Sequence, residues 1–325
     1  MKLASLRSSS RDGELVLVST DLQWMLRVSE VALTLQQALE SWRQVRPTLE
    51  RYYGKLLAGT ASRAERFDPC KALSPLPRAY QWLDSSAYRA HMELHCRLRG
   101  LPLPDGICMY QGMSDGFLAP MQDIPALTEE WGVDFEAEVA IITDDVPYAV
   151  TTAAACSHIV LVMLCNDVSL RNLSPPELRR RFGFVQAKPA SAFSPVAVTP
   201  DELGDVWRGA RLHLPLRSYL NGARFGEPDA GAMDVGFDAL IAHAATTRSL
   251  GAGTIIGSGT VSNHDTRRGQ SCISERRVLE EMEYGEARTP FLRFGDRVRI
   301  EMQDRHGRSV FGAIDQTVVP ITAAA

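Results

Sequence analysis

The chain is short of lysine, of long apolar runs and of paired cysteines, and each shortage excludes something. Lys2, Lys55, Lys71 and Lys188 are the only lysines among cations otherwise written as arginine, so Lys188 stands alone after Lys71. A solitary ammonium in such a chain points to a position that needs a compact cation whose pKa the surroundings can tune. No stretch approaches the roughly 20 apolar residues that span a bilayer, and Met1 to Arg7 lacks the apolar core of a signal peptide. A cytoplasmic protein with no membrane role is therefore expected. The six cysteines, Cys70, Cys96, Cys108, Cys156, Cys165 and Cys272, form no C-x-x-C pair, which argues against a zinc ribbon or a redox dithiol. Most are expected to be reduced, buried small hydrophobes. A net charge of -4, a pI near 6.0 and no basic run beyond Arg179-Arg180-Arg181 argue against nucleic acid as a partner. That triplet reads as solvated helix surface. There is no P-loop and no internal repeat. The Gly251 to Gly257 stretch follows a helical pattern and lacks the G-x-G-x-x-G spacing of a dinucleotide loop.

What is present is enough apolar material for a large core: 325 residues, of which 45% are hydrophobic. Alternating apolar patterns and a turn at Arg11-Asp12-Gly13 predict an opening hairpin over 2–6 and 14–19. Thr34-Leu-Gln-Gln37 predicts a capped helix to about residue 45, and Pro47 at a first-turn position predicts a second helix to about residue 54. The Ser-, Ala- and Pro-rich stretch 58–77 marks a boundary between a small N-terminal unit, 1–73, and a larger unit, 74–325. Strands are expected over 135–142, 158–165, 212–219, 297–302 and 309–314, with Asn221-Gly222 as a tight hairpin turn. An amphipathic helix is expected over 237–250. Strands outnumber helices without regular alternation, which gives an α+β class.

Glu136 and Glu138 carry the strongest functional signal. They lie one residue apart in the apolar run Val133 to Ile142, and strand periodicity puts residues 134, 136, 138 and 140 on one face. If that face is buried, two carboxylates side by side need raised pKa values or a hard cation. On a solvated face they need neither. A second segment, Ser85 to Gly100, reads as a helix with a Ser85 N-cap, a basic last turn and a glycine stop, immediately preceded by Asp84. It places His91 and His95 on one face; the spacing would suit zinc, but the H-E-x-x-H order is absent and a surface pair is the simpler reading. A third is the apolar strand 158–165, which runs into Asn166-Asp167-Val-Ser-Leu-Arg171, where the carboxylate and guanidinium could pair with each other or serve as ligand and anion clamp. Lys188 follows.

In order and spacing, these pieces resemble the fumarylacetoacetate hydrolase superfamily. Asp84 with His91 seven residues on, then Tyr110, Glu136-x-Glu138, Asn166-Asp167-Val-Ser-x-Arg171, Lys188 and Gly259-Thr260-Val-Ser run collinear with its pattern from about residue 74 onward. The resemblance implies a mixed β-sheet roll or sandwich behind a small β-rich N-terminal domain, and a homodimer. It implies one Mg²⁺ or Ca²⁺ held by Asp84, Glu136, Glu138 and Asp167, all oxygen donors suited to a hard ion. His91 would be the general base oriented by Glu275. Lys188 and Arg171 would stabilise developing negative charge, and Tyr110 and Thr260, with Arg171 and Lys188, would contact the substrate. The implied activity is a hydrolase acting on carbon–carbon bonds in ketonic substances. Its small-molecule substrate would be a 1,3-diketo acid, fumarylacetoacetate-like or acylpyruvate-like, of tyrosine or other aromatic catabolism. The alternative in the same superfamily is a 2-oxo acid decarboxylase or a 2-keto-4-pentenoate-type hydratase. The sequence departs from the pattern at Ser174, where a glutamine is expected seven residues after Asp167, at Asn172 in place of an acid, and in the longer Gly269 to Glu275 segment.

Overall fold

A computed structural model describes residues 1–322. An eleven-stranded sheet forms its spine, and its spatial order places the most apolar strands at the centre. From one edge it runs Glu65–Arg66, Trp24–Arg27, Glu14–Val18, Lys2–Leu6, Ala197–Val198, Ile159–Asn166, Ala137–Thr143, Ile255–Gly257, Trp82–Ser85 and Met109–Gln111, with Ala192–Phe193 also on Ile159–Asn166. All pairings are antiparallel except Ile255–Gly257 with Trp82–Ser85. The N-terminal hairpin joins this sheet through Lys2 opposite Val198 and Leu3 opposite Ala197, so one set of hydrogen bonds runs from the first residues into the region after residue 74. A second sheet orders Ala223–Gly226, Leu216–Leu220, Arg297–Gln303, Ser309–Pro320 and Ile124–Ala126. This is the mixed α+β arrangement that the sequence patterns imply.

The central strands are buried on both faces, which is why they read as continuous apolar runs. Along Ala137–Thr143, Ala137, Val139 and Ile141 join one apolar cluster. Ala140 and Ile142 join another, shared with Trp42, Leu49 and Leu56 of the helix Trp42–Leu57. Glu138 alternates with this second set. It is fully buried, and Glu136 is 5% exposed, so the solvated-face reading of the pair does not hold.

Turn chemistry behaves as expected: Asn221 and Gly222 both take positive φ, 52° and 81°, between Leu216–Leu220 and Ala223–Gly226. Thr34 caps the helix Leu35–Glu40 by accepting from Gln37 N at 3.2 Å. Other local expectations are overridden. That helix breaks at Ser41, and Pro47 falls inside Trp42–Leu57 rather than at its start. Ser85 is no N-cap: it ends a strand, its hydroxyl donates to Gly257 O at 2.6 Å, and the helix begins four residues later as Arg89–Arg99. The Phe237–Ala244 helix stops six residues early, where Ala149 N takes Ala245 O, and the 212–219 strand is interrupted before Leu216. All six cysteines are free thiols, but only Cys165 and Cys272 are buried.

Candidate active site

Three strands of the large sheet bring three carboxylates together. Asp84 lies on Trp82–Ser85, Glu138 on Ala137–Thr143, and Asp167 directly after Ile159–Asn166. Each contributes an oxygen to a group whose members all lie within 4.8 Å of one another, and all three are buried. Gly257, on the strand between, leaves room for this approach: a Cβ there would meet Asp84 Oδ1 at 2.4 Å. Gly259 takes φ 78°, which turns its N–H onto Asp84 Oδ1 at 3.1 Å. Asp167 is held by Ser191 Oγ at 2.7 Å, by Lys188 Nζ at 2.5 Å and by the Tyr110 hydroxyl. Among the described residues, neither oxygen of Glu138 finds a hydrogen-bond donor.

Burial, reinforced by Asp167, pushes Asp84 up to about 8. Burial together with Asp84 and Asp167 raises Glu138 well above the usual carboxylate range. Like charges so close in a dry site favour the neutral form unless a cation intervenes. The donor set, three convergent carboxylates with one unpartnered, fits a hard divalent ion.

Glu136 differs from its neighbour two residues on. Its Oε1 accepts from Arg171 Nη2 at 2.7 Å and its Oε2 from Lys188 Nζ at 2.5 Å. Burial alone would raise its pKa, but Arg171 and Lys188 outweigh this and hold it well below the usual value. Of the four expected ligands, three therefore converge, while Glu136 stands beside them with both oxygens taken by cations. Arg171 also donates through Nε to Asp134 Oδ2 at 2.8 Å. Asp134 in turn accepts from Ile273 N and Ser274 N, the first turn of the helix Ile273–Tyr284 that carries Glu275.

His91 faces this region from the helix Arg89–Arg99. Its Nδ1 is buried without a hydrogen bond and lies 3.8 Å from Glu275 Oε1, which accepts from Ser262 Oγ at 2.5 Å. His91 and Glu275 are thus neighbours, just beyond hydrogen-bond reach. The His91 and His95 rings are neighbours, their centroids 4.6 Å apart. A cavity of about 840 Å³ opens over the carboxylates, and Asp84, His91, Tyr110, Glu136, Arg171, Lys188 and Thr260 all line it. Every residue expected at the site is therefore at the cavity or directly behind it.

Four contributors were not anticipated. Asp134 shares the alternating face of Glu136 and Glu138, so its position was readable although its partners were not. Ser191, Ser262 and Glu177 reach the site from segments with no local signal. Glu177 accepts from the backbone N–H groups of Val185, Gln186 and Ala187, immediately before Lys188.

Comparison with known proteins adds the following. A family model described as fumarylacetoacetate (FAA) hydrolase C-terminal matches residues 81–319, and one described as fumarylacetoacetase N-terminal domain 2 matches residues 1–78. No curated protein matches the chain at a significant level. Among solved structures, the chain is similar to fumarylacetoacetate hydrolase from psychrophilic Exiguobacterium antarcticum (TM-score 0.69, 18% identity, 99% of this chain and 100% of that one). It is also similar to maleylpyruvate hydrolase from Sphingobium sp. SYK-6 (0.64, 17%, 99% and 100%). A third is 5-carboxymethyl-2-hydroxymuconate delta-isomerase from Mycobacterium smegmatis (0.63, 17%, 99% and 100%). At these identities the likeness is one of fold.

Proposed function

The chain belongs to the fumarylacetoacetate hydrolase family, and from that membership we propose that it is a metal-dependent hydrolase cleaving a carbon–carbon bond in a 1,3-diketo acid. The observation that carries this reading is the unpartnered, buried Glu138 carboxylate beside Asp84 and Asp167, with His91 lining the cavity next to them. Asp84, Glu138 and Asp167 would hold one Mg²⁺ or Ca²⁺, with Glu136 completing or flanking the set. Formally, five carboxylates (Asp84, Asp134, Glu136, Glu138, Asp167) face two cations (Arg171, Lys188), an excess of three negative charges that a divalent ion would lower to one. When bound, such an ion polarises a ketone oxygen.

The chain's own residues supply the rest. His91 accepts a proton from water as the hydroxyl oxygen bonds to the acyl carbon; Glu275, fixed by Ser262, stabilises the imidazolium that results. The carbon–carbon bond breaks with its electron pair on the leaving fragment, an enolate, and His91 returns the proton. Lys188, shared between Glu136 and Asp167, keeps its third N–H for the developing charge, while Tyr110 spends its hydroxyl donor on Asp167 and so steadies that carboxylate. Thr260 and Arg171 shape the pocket for the substrate's α-keto acid end.

Purified protein with Mg²⁺ or Ca²⁺ should consume fumarylpyruvate, acetylpyruvate or fumarylacetoacetate, followed by loss of the diketone absorbance. An enzyme that binds the ion by calorimetry yet turns over no diketo acid would refute this reading. Oxaloacetate consumed faster than any diketone would move the chain to the decarboxylase branch.

A further inference from the structure

The cations that line the cavity fall into two kinds. Lys188 and Arg171 are each shared between two carboxylates, so most of their charge is offset inside the protein. Arg277 lines the same cavity and is half-buried, yet among the described residues it forms no ion pair. Its described contacts are one donation from Nη1 to Thr289 O at 2.6 Å and a stack of its guanidinium over the Phe291 ring at 4.5 Å. The stack fixes the plane of the group, and the single bond uses one of its five N–H donors. A half-buried, oriented guanidinium without an anion is the arrangement that receives one.

Arg277 also sits at a defined place. Ser274, whose N–H binds the Asp134 carboxylate that holds Arg171, is one turn earlier on the helix Ile273–Tyr284, about 4.5 Å of rise away. The cavity therefore has an acid-rich end that calls for a cation and, further out along this helix, a guanidinium that calls for an anion. Glu281, one turn further, lines the wall without pairing with it.

We propose that Arg277 binds a second carboxylate on the substrate, at the end opposite the ion-binding carboxylates. The preferred substrate is then a diketo acid whose acyl group itself ends in a carboxylate. This rests on the diketo-acid reading above and adds a specificity-determining residue to it.

The test compares kcat/KM for fumarylpyruvate, which has the second carboxylate, and acetylpyruvate, which lacks it, in the wild type, Arg277→Gln and Arg277→Lys. The expected result is a selectivity ratio for fumarylpyruvate that drops about a hundredfold in Arg277→Gln, as for truncation of one partner of a desolvated charge pair. Arg277→Lys should recover part of it. A purely structural role, pinning Thr289 and Phe291, would lower both substrates together and leave the ratio unchanged; that result overturns the proposal. If the ion-loaded wild type cleaves neither substrate, the hydrolase reading fails separately, and calorimetry with fumarate then decides the role of Arg277. Fumarate binding lost in Arg277→Gln supports it, and equal binding in both proteins overturns it.

Discussion

Asp84, Glu138 and Asp167 stand on or directly after strands of one sheet, whereas His91 and Glu275 stand on two helices that pack against each other. On the sheet side the backbone ladder sets each position: Glu138 pairs with Cys165, and Gly257 with Ala140, so a slip of one residue would turn the carboxylates out of the site. On the helix side nothing comparable fixes the separation, and His91 Nδ1 and Glu275 Oε1 remain 3.8 Å apart. The sheet supplies an electrostatically costly floor, and the helices supply the rim. The two regions should respond differently to the same kind of substitution.

Glu138→Gln is the severest way to break the floor. It removes charge with little change of shape, and kcat/KM should fall on the order of 10⁴-fold as the ion's several kcal/mol of charge stabilisation are lost. The same change should stabilise the ion-free protein at neutral pH, because a buried carboxyl that must take up a proton on folding is gone. Calorimetry and thermal unfolding with and without Mg²⁺ measure both; a less stable ion-free variant would mean that Glu138 is satisfied in the native protein. On the rim, His91→Ala should lower kcat by on the order of 10²–10⁴-fold, the range for loss of a general base. Ion affinity should stay at the wild-type value, and a variant that also loses the ion would make His91 a ligand.

Protons sharpen the contrast further. With Asp84 pushed up from 3.8 to about 8 by burial and Asp167, the folded, ion-free protein holds a proton that the unfolded chain releases. Its stability should therefore fall as pH rises from about 4 towards 8. Ion binding must expel that proton, so affinity should rise over the same window by about tenfold per pH unit for one proton released. Titration calorimetry in buffers of different ionisation enthalpy detects the release, and affinity independent of pH would put Asp84 outside the ion's shell.

How much of this was legible in the sequence follows the same division. Glu136 and Glu138 announced themselves because acids in an apolar strand break a two-residue period, and Asp167 because it ends another apolar run. The partition of the pair was not legible: Glu138 faces Asp84 while Glu136 is taken by Arg171 and Lys188, 35 and 52 residues further along the chain. Ser85 misled because a serine before a helical pattern resembles a cap, yet the neighbouring Ile255–Gly257 strand claims it first. Arg277 carried no local signal at all. Its significance lies in lacking an ion pair, which only the packed structure can reveal.

The smallest expected effect lies behind Lys188. Glu177 is 6% exposed, and its carboxylate accepts from Val185 N at 3.0 Å, Gln186 N at 2.9 Å and Ala187 N at 3.0 Å. Burial alone would raise its pKa, but the three amides hold it below the usual range. This carboxylate fixes the loop that delivers Lys188, and so links that segment to the floor of the site. Glu177→Gln replaces one acceptor oxygen with an N–H₂ group facing other N–H donors, so the segment should loosen. Because Glu136 and Asp167 still draw Lys188 inwards, kcat should fall only about tenfold, one hydrogen bond's worth, with ion affinity unchanged. A fall as deep as that of Lys188→Ala would mean that the loop alone positions the ammonium, and no fall would mean that the two carboxylates do so unaided.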